Sequence, residues 1–341
     1  MISTPTKPIP ANYEAALRTV VAQAPDVESF ARRVGERGLR NVFLVGSGGS
    51  LAGFYQLQFI LDQGGRGLST YLMSSGEFNV RRPVNLGPDS LMVVVSHRGQ
   101  TPETVEAARI ARRAGASVLA ITRDADSLLA GVADDRFVYE RDEVVVDAKL
   151  ILLAILGTSL VDQAGAAPDP VGVRRAFNAL PAALVSAMRE REDANRATAE
   201  RLKDEPIIYV LASGPSYGIA YSFAMCTLQE AQWMHAAAYN AAEFFHGAFE
   251  VIDENVAVIV LLDESEARPL AERACSFVQR YSKKVTTIDT RDLLLPGIET
   301  PQRALISPIA LGTVMFRLTA HFAAVRGRSY ADRRYMFKVP Y

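Results

Sequence analysis

Short apolar runs alternate with helical patterns through the first half of the chain. The runs end at glycine, serine or another polar residue and lie at 41–46, 70–74, 91–96, 117–122 and 136–140. Helical patterns lie between or after them, at Leu51–Gln63, Pro102–Ala114 and Asp147–Gln163. Apolar runs that are bounded by turn residues and separated by helices predict a parallel sheet covered on both faces. Right-handed crossovers between such strands give a doubly wound α/β fold.

The alternation returns after a break in the middle of the chain. Residues 164–172 read AGAAPDPVG, and a helical stretch rich in Arg and Glu follows from Val173 to Lys203. Strands are then predicted at 206–213, 256–263 and 284–289, and helices at Tyr217–Met234, Glu266–Tyr281 and Ile309–Arg326. We therefore predict an N-terminal extension with a helix (1–34), a first α/β domain (35–165), linking helices (166–205) and a second α/β domain with a C-terminal tail (206–341).

A repeat in the sequence indicates two copies of one unit. FLVGSGGSLAGFYQLQF begins at Phe43 and YVLASGPSYGIAYSFAM begins at Tyr209, and each reads as a strand, an S-G-x-S turn and a helix. The serine that opens the turn is Ser47 in the first copy and Ser213 in the second. Because the match extends through strand, turn and helix, we interpret it as a tandem pair of α/β subdomains.

Composition narrows the classes of function. The 341 residues are 49% hydrophobic and 22% charged, and 37 basic against 38 acidic residues leave a net charge of −1. Such a balance argues against nucleic acid or a membrane as a partner. Cys226 and Cys275 lie in apolar helical stretches and read as buried thiols, and the four histidines show no metal-ligand spacing. With no signal-peptide pattern and no run of about 18 apolar residues, we expect a soluble cytoplasmic protein.

Three loops that each join a strand to a helix carry the first candidate chemistry: GSGGS (46–50), SHRGQTPET (96–104) and SGPS (213–216). A helix N-terminus offers unpaired backbone N–H groups and the positive end of the helix dipole. Glycines such as Gly48 and Gly49 let an anion approach the backbone closely, and hydroxyl groups add donors.

The second of these loops suits a phosphate monoester. Its donors are Ser96, Thr101, Thr104 and the amides near Gly99 and Gln100. Ordinary helix capping by serine and threonine is the alternative for each loop. No Gly-Lys-Ser/Thr follows, as a nucleotide P-loop requires, and a complete G-x-G-x-x-G is absent, which makes a dinucleotide the weaker interpretation.

The second group of candidates lies at 226–247, CTLQEAQWMHAAAYNAAEFFHG. Glu230 stands in a helical pattern that is otherwise apolar or neutral, and His246 lies just before the apolar run at 256–263. A buried glutamate with a raised pKa can act as a base, and a histidine as an acid. A capped glutamate and a structural histidine are the alternative, and these residues alone favour it.

With these motifs in place, the chain resembles sugar isomerase (SIS) domains over about residues 35–341. SHRGQTPET is similar to the sugar-phosphate loop of that family, usually S-x-S-G-x-T, and GSGGS is similar to its first loop. EAQWMHAAAYNAAEFFHG resembles the stretch of the glucosamine-6-phosphate synthase isomerase domain that carries Glu and His sixteen residues apart, the separation of Glu230 and His246. AEFFHG and the ending RRYM are similar to the phosphosugar-amine deglycases, one subgroup of the family.

The resemblance implies a role for each matching residue. It implies Ser50, Ser96 and Thr101 as phosphate ligands, and we predict Arg98, Gly99 and Gln100 of the same loop as further phosphate-binding residues. Further substrate contacts are predicted at Gly48, Gly49 and Ser213. Glu230 would be the base and His246 the acid, and the tail RRYMFKVPY resembles one that brings a lysine, here Lys338, over the sugar. In related SIS enzymes the histidine comes from the neighbouring subunit, which implies a homodimer with shared active sites.

Two positions depart from the family pattern. Arg98 stands where the family usually has serine, and it either grips the phosphate as a fork or pairs with Glu103. Thr227 stands where the synthase has a lysine that it uses in sugar isomerisation, which disfavours the synthase activity. The apolar segment 236–245 leads to the polar candidate His246, as a subunit contact would, although packing in the core of its own chain is the alternative.

These features favour a deglycase acting on a ketosamine 6-phosphate, a phosphorylated sugar that carries an amine on C1. The predicted products are an aldose 6-phosphate and the released amine. We expect no metal and no organic cofactor, because the amine nitrogen itself supplies the electron sink. An aldose–ketose isomerase of phosphosugars is the first alternative, and a non-catalytic sugar-phosphate sensor is the second.

Overall fold

A computed structural model describes residues 5–165 and 169–340 of the chain. They fall into two units, Pro10–Pro181, called here the first unit, and Ala182–Tyr341 with Met1–Ile9, called the second unit. Each unit is built around one parallel sheet. The predicted α/β class, with two doubly wound parallel sheets in tandem, is confirmed. The four-part division of the chain stays a prediction.

The sheet of the first unit has five parallel strands. They are β1 (Asn41–Gly46), β2 (Ser69–Ser74), β3 (Ser90–Val95), β4 (Ser117–Thr122) and β5 (Asp135–Val138), in the order β2-β1-β3-β4-β5. The helices are α1 (Tyr13–Val21), α2 (Ala24–Glu36), α3 (Gly49–Gly64), α4 (Ser75–Arg81), α5 (Pro102–Arg113), α6 (Leu128–Val132) and α7 (Val145–Gln163). Every residue of β3 is buried, as expected of a strand that is covered on both faces. All five apolar runs of this half are strands, as predicted.

The order of strands reverses at β1, which pairs with β2 on one side and with β3 on the other. In open α/β sheets, ligands bind outside the carboxyl ends of the strands at the point where the order reverses. The loops 46–50 and 96–104 follow β1 and β3 at this edge. The fold therefore places both predicted phosphate-binding loops where such sheets hold ligands.

The second unit repeats this arrangement with four parallel strands. They are β6 (Ile208–Ala212), β7 (Ala236–Asn240), β8 (Ala257–Leu262) and β9 (Lys284–Asp289), in the order β7-β6-β8-β9. The chain passes from the first unit to the second within α8 (Pro170–Glu190). The other helices of the second unit are α9 (Glu192–Leu202), α10 (Tyr217–Ser222), α11 (Arg268–Tyr281) and α12 (Thr300–Arg326). The order again reverses at the first strand, β6, so the repeat seen in the sequence extends to the topology of the sheets.

One strand was not predicted, and two predicted helices are each divided in two. The first half of the apolar segment 236–245 is the edge strand β7, which pairs with β6. The single helix predicted at Tyr217–Met234 is α10 followed by a π-helix at Phe223–Ala231. The stretch predicted as one helix from Val173 to Lys203 is two helices, α8 and α9.

Helices α3 and α7 pack closely because glycines lie at their contacts. A Cβ atom at Gly157 of α7 would lie 2.8 Å from Leu57 Cδ1, and one at Gly64 of α3 would lie 2.6 Å from Val161 Cγ1. Distances this short leave no space for a side chain at either glycine. This packing brings the first turns of α7 beside the loop that precedes α3.

Two helical stretches, Asp142–Gln163 and Thr300–Arg326, are long and apolar enough to cross a membrane on length and composition alone. Their most apolar windows are 83% and 78% buried inside the structure. Helices of a protein core share this property, so the two stretches are weak evidence for a membrane location.

Candidate active site

The loop after β1 makes a tight turn into α3. The Ser50 N–H donates to the Ser47 carbonyl at 3.1 Å, and Gly48 has a φ of +57°. This left-handed conformation suits glycine and turns the backbone around the start of the helix. The predicted residues Gly48, Gly49 and Ser50 thus lie at the N-terminus of α3, at the edge where the strand order reverses.

The loop after β3 closes on itself through hydroxyl groups. Ser96 is 4% exposed, and its Oγ lies 3.0 Å from Thr101 Oγ1. Thr101 stands at the N-cap position of α5, but its hydroxyl makes no capping hydrogen bond to that helix. Helix capping therefore does not explain Thr101. Thr104 is 1% exposed and bonds Ser75 Oγ at 2.8 Å, so that its hydroxyl is directed into the core.

Gly99 fixes the shape of this loop. Its φ is +61°, and a Cβ atom there would lie 2.3 Å from Ser127 Oγ. The Gly99 carbonyl accepts from the Leu129 N–H at 3.0 Å, which attaches the loop to the start of α6. No residue with a side chain fits this position without moving Ser127. The neighbouring predicted residues Arg98 and Gln100 are exposed.

His97 is a polar residue of the same loop that the sequence reasoning missed. Its Nδ1 lies 2.9 Å from the Tyr139 hydroxyl, and its Nε2 lies 3.1 Å from Asp142 Oδ1. Burial lowers the pKa of His97, and the charge of Lys149 lowers it further, against the opposing effect of Asp142. In the neutral ring, Nε2–H donates to Asp142 and Nδ1 accepts from Tyr139. Its place directly after Ser96 was the signal available in the sequence.

A second missed residue is Lys149 of α7. It is 7% exposed, and its Nζ donates to the Gly49 carbonyl at 3.4 Å. A lysine in the middle of VVDAKLILLAILG is a visible signal, because the residues after it in this stretch are all apolar or glycine. The sequence reasoning treated this stretch only as a helix.

The corresponding loop of the second unit has the same backbone but different chemistry. Gly214 has a φ of +50°, matching Gly48. Ser213 donates to the Ala267 carbonyl at 2.7 Å, and Ser216 donates to the carboxylate of Asp263, which is 3% exposed. Burial raises the pKa of Asp263, while hydrogen bonds from Ser216 and Ser265 lower it. The structure thus engages Ser213 in the packing of its own unit, and a carboxylate beside the loop disfavours a phosphate there.

Glu230 lies on the π-helix, one residue before its end at Ala231. The Gln232 N–H donates to the Thr227 carbonyl at 2.9 Å, five residues back. Helices with this bonding are rare and often occur at functional sites. The Glu230 side chain is 21% exposed and forms an ion pair with Arg333. Burial raises the pKa of Glu230, and the Arg333 guanidinium opposes that effect.

The C-terminal tail connects two of the predicted catalytic residues. Arg333 pairs with Glu230, and Lys338 Nζ donates to the Arg333 carbonyl at 2.6 Å. The Arg333 guanidinium also donates to the carbonyls of Tyr330 and Asp332, at 2.7 and 2.8 Å. The structure therefore brings Glu230 and Lys338 to the same tail residue, whereas the sequence reasoning did not identify Arg333.

His246 stands apart from these groups. It ends a short 3-10 helix at Glu243–His246, where Phe244 is fully buried and His246 is exposed. Among residues 5–165 and 169–340, the His246 side chain makes no hydrogen bond, ion pair or ring contact. The structure of one chain therefore presents the predicted acid at the surface and does not pair it with Glu230.

The SIS domain model matches residues 40–152. Fructosamine deglycase FrlB of Bacillus subtilis is 35% identical, over 93% of this chain and 97% of its own length. Fructoselysine 6-phosphate deglycase of Escherichia coli is 25% identical, over 91% of this chain and 89% of its own length.

A solved structure is also similar to this chain in fold. A Bacillus subtilis protein described as a candidate phosphosugar isomerase has a TM-score of 0.88 and 34% identity, with coverage of 95% of this chain and 99% of its own. Relatives above 30% identity thus span nearly the whole chain, and the matching loops lie where the fold places ligands. The chain belongs to the SIS domain family.

Proposed function

We propose that this chain is a deglycase that cleaves a ketosamine 6-phosphate to an aldose 6-phosphate and a free amine. The observation that carries the proposal is the nearly full-length similarity to two proteins named as deglycases. The half-buried Glu230 on its π-helix supports it, because a base needs a pKa raised by its surroundings. The hydroxyl-lined loop of Ser96 and Thr101 supports a phosphate on the substrate.

The proposed reaction is a proton transfer followed by hydrolysis. Glu230 removes a proton from C1 of the ketosamine while His246 protonates the oxygen on C2, which gives an enaminol. Return of a proton to C2 moves the double bond to C1 and nitrogen, and water then cleaves this imine. Binding energy from the phosphate contributes to holding C1 and C2 at the acid–base groups.

The test of this function is the release of amine. Purified protein is incubated with a ketosamine 6-phosphate, and amine and aldose 6-phosphate are quantified against time. We expect the two products in equal amounts. The similarity to a candidate phosphosugar isomerase favours aldose–ketose isomerisation as the second function. Interconversion of an aldose and a ketose 6-phosphate, without amine release from any ketosamine phosphate, would replace the deglycase assignment with that one.

We also propose a homodimer in which Glu230 of one chain acts with His246 of the other. Support comes from the exposure of His246 and from the ion pair of Glu230, which among the described residues joins it to Arg333 and not to His246. The half-buried edge strand β7 leads directly to the 3-10 helix that carries His246. An exposed histidine at the end of such a segment is suited to entering a neighbouring subunit.

Removing Arg333 should change the pH dependence of catalysis. The guanidinium lowers the pKa of Glu230, so Arg333→Met should raise that pKa. A base works only when it is deprotonated. As the pH is lowered, the variant should therefore lose activity at a higher pH than the wild type does. The measurement is the acidic limb of the kcat/KM profile. An acidic limb at the wild-type position would show that Arg333 does not control the base.

The matched control for that experiment is Arg328→Met. Arg328 belongs to the same tail and lies over the Trp233 ring at 3.6 Å, but it does not contribute to the pKa shift of Glu230. Its variant should lose some tail packing without moving the acidic limb.

A further inference from the structure

Lys149 is a buried cation on an apolar helix. The residues that follow it in α7, from Leu150 to Leu156, are all buried and apolar. Taking an ammonium group out of water is costly unless other groups compensate it. A lysine only 7% exposed at this place is therefore compensated by the groups around it.

The position of its ammonium group shows which loops its charge can reach. Nζ lies 3.4 Å from the carbonyl of Gly49, in the loop that leads to Ser50. Its charge also acts on His97, which follows Ser96 in the other loop. The ammonium therefore lies within electrostatic reach of both loops at the edge where the strand order reverses. The close packing of α3 on α7 holds it there.

The two loops otherwise offer mainly neutral donors to a phosphate. Ser50, Ser96 and Thr101 provide hydroxyl groups, and the loop backbones provide N–H groups. Arg98 brings a charge, but its side chain is exposed. Charge-assisted hydrogen bonds are roughly twice as strong as neutral ones. A buried charge also acts more strongly than an exposed one, because water and salt screen it less.

We propose that Lys149 is the buried cation of the phosphate site and donates from Nζ to an oxygen of the substrate phosphate. The contact with the Gly49 carbonyl is longer than a typical N–H···O bond, and an ammonium has three donors. A phosphate oxygen at the loop can therefore be added without breaking the attachment of α7. This assignment rests on the proposed function only in requiring a phosphorylated ligand.

The test uses inorganic phosphate and glucose 6-phosphate as probes, with titration calorimetry on the full chain. Lys149→Met keeps the apolar stem and removes the charge, and we expect affinity for both probes to fall at least about tenfold. Lys149→Arg keeps the charge and should retain most of the affinity. Lys283→Met is the matched control, because that lysine side chain is 79% exposed and lies in the second unit. Its variant should bind as the wild type does.

Three results would overturn the proposal: wild-type affinity in a folded Lys149→Met protein, absence of binding by the wild type, or equal losses in Lys149→Met and Lys149→Arg. If the methionine variant does not fold, a crystal structure of the wild type with phosphate decides the question. Nζ should then lie within hydrogen-bonding distance of a phosphate oxygen, and a position out of contact rejects the assignment. Amine release is measured in a separate experiment. If the protein binds phosphate through Lys149 but releases no amine, only the deglycase function is refuted.

Discussion

Glu230→Gln should abolish most amine release while leaving phosphosugar binding nearly unchanged. General acid–base catalysis contributes roughly 10²–10⁴-fold to rate, so kcat should fall by at least about two orders of magnitude. Glutamine has nearly the same shape as glutamate but cannot accept the proton from C1. Binding of the phosphate should persist, because its predicted ligands lie in the loops of the first unit. The measurements are kcat from amine release and the dissociation constant for glucose 6-phosphate.

The ion pair with Arg333 makes a control necessary. The substitution removes a half-buried negative charge and leaves Arg333 without its carboxylate partner, which loosens the tail as well as removing the base. Asp332→Asn changes another carboxylate of the same tail, one that accepts from the Ser329 N–H at 3.1 Å. If tail order alone mattered, both variants would lose activity to a similar extent. A Glu230→Gln protein with more than about a tenth of wild-type kcat would rule out Glu230 as the base.

The sheets could be predicted because their signal is local. Buried parallel strands need continuous apolar runs, and those of β3 and β8 are visible in the sequence. β7 was missed because AAAYN contains neither a β-branched residue nor a long aliphatic one. Its strand conformation comes from pairing with β6, a contact between segments distant in sequence. Pairing of this kind overrides local preference.

The candidate site could be predicted only in part, because some of its contacts also join segments that are distant in sequence. Motifs contiguous in the chain, such as SHRGQTPET, were identified, and the reversal of strand order places them at the ligand edge. Other contacts of the site join residues about a hundred positions apart, namely the Glu230–Arg333 ion pair and the hydrogen bond from Lys149 to the Gly49 carbonyl. No periodicity or spacing shows such contacts. The π-helix was equally invisible, because its bonding differs from that of an α-helix while its apolar residues do not.

The C-terminal tail holds two of the predicted catalytic groups in the described chain. Arg333 pairs with Glu230, and its carbonyl accepts from Lys338, so both predicted catalytic groups are held by one residue. In the proposed reaction Glu230 must accept a proton from carbon, which requires the carboxylate to face the substrate. The ion pair favours the ionised form of that carboxylate, and we expect the tail to rearrange on substrate binding and make it available.

The composite dimer predicts that two inactive proteins restore activity when they are mixed. Glu230→Gln lacks the base and His246→Ala lacks the acid, so each homodimer carries two defective sites. If each site takes Glu230 from one chain and His246 from the other, a mixed dimer has one site with both substitutions and one with neither. Random exchange of equal amounts should then recover about a quarter of wild-type activity per total site, by the two-fold symmetry of the dimer.

The design separates this arrangement from a site built within one chain. If both residues acted in the same chain, every site of a mixed dimer would keep one substitution, and mixing would recover nothing. Exchange must be shown independently, by mass spectrometry of mixed dimers that carry a light and a heavy isotope label. A matched mixture of Glu230→Gln with Glu230→Gln/His246→Ala should stay inactive, because no site in it can contain a wild-type base. The exposure of His246, whose side chain makes no hydrogen bond, ion pair or ring contact among the described residues, favours recovery. Proven exchange without recovery would place base and acid in one chain and require His246 to move toward Glu230 on substrate binding.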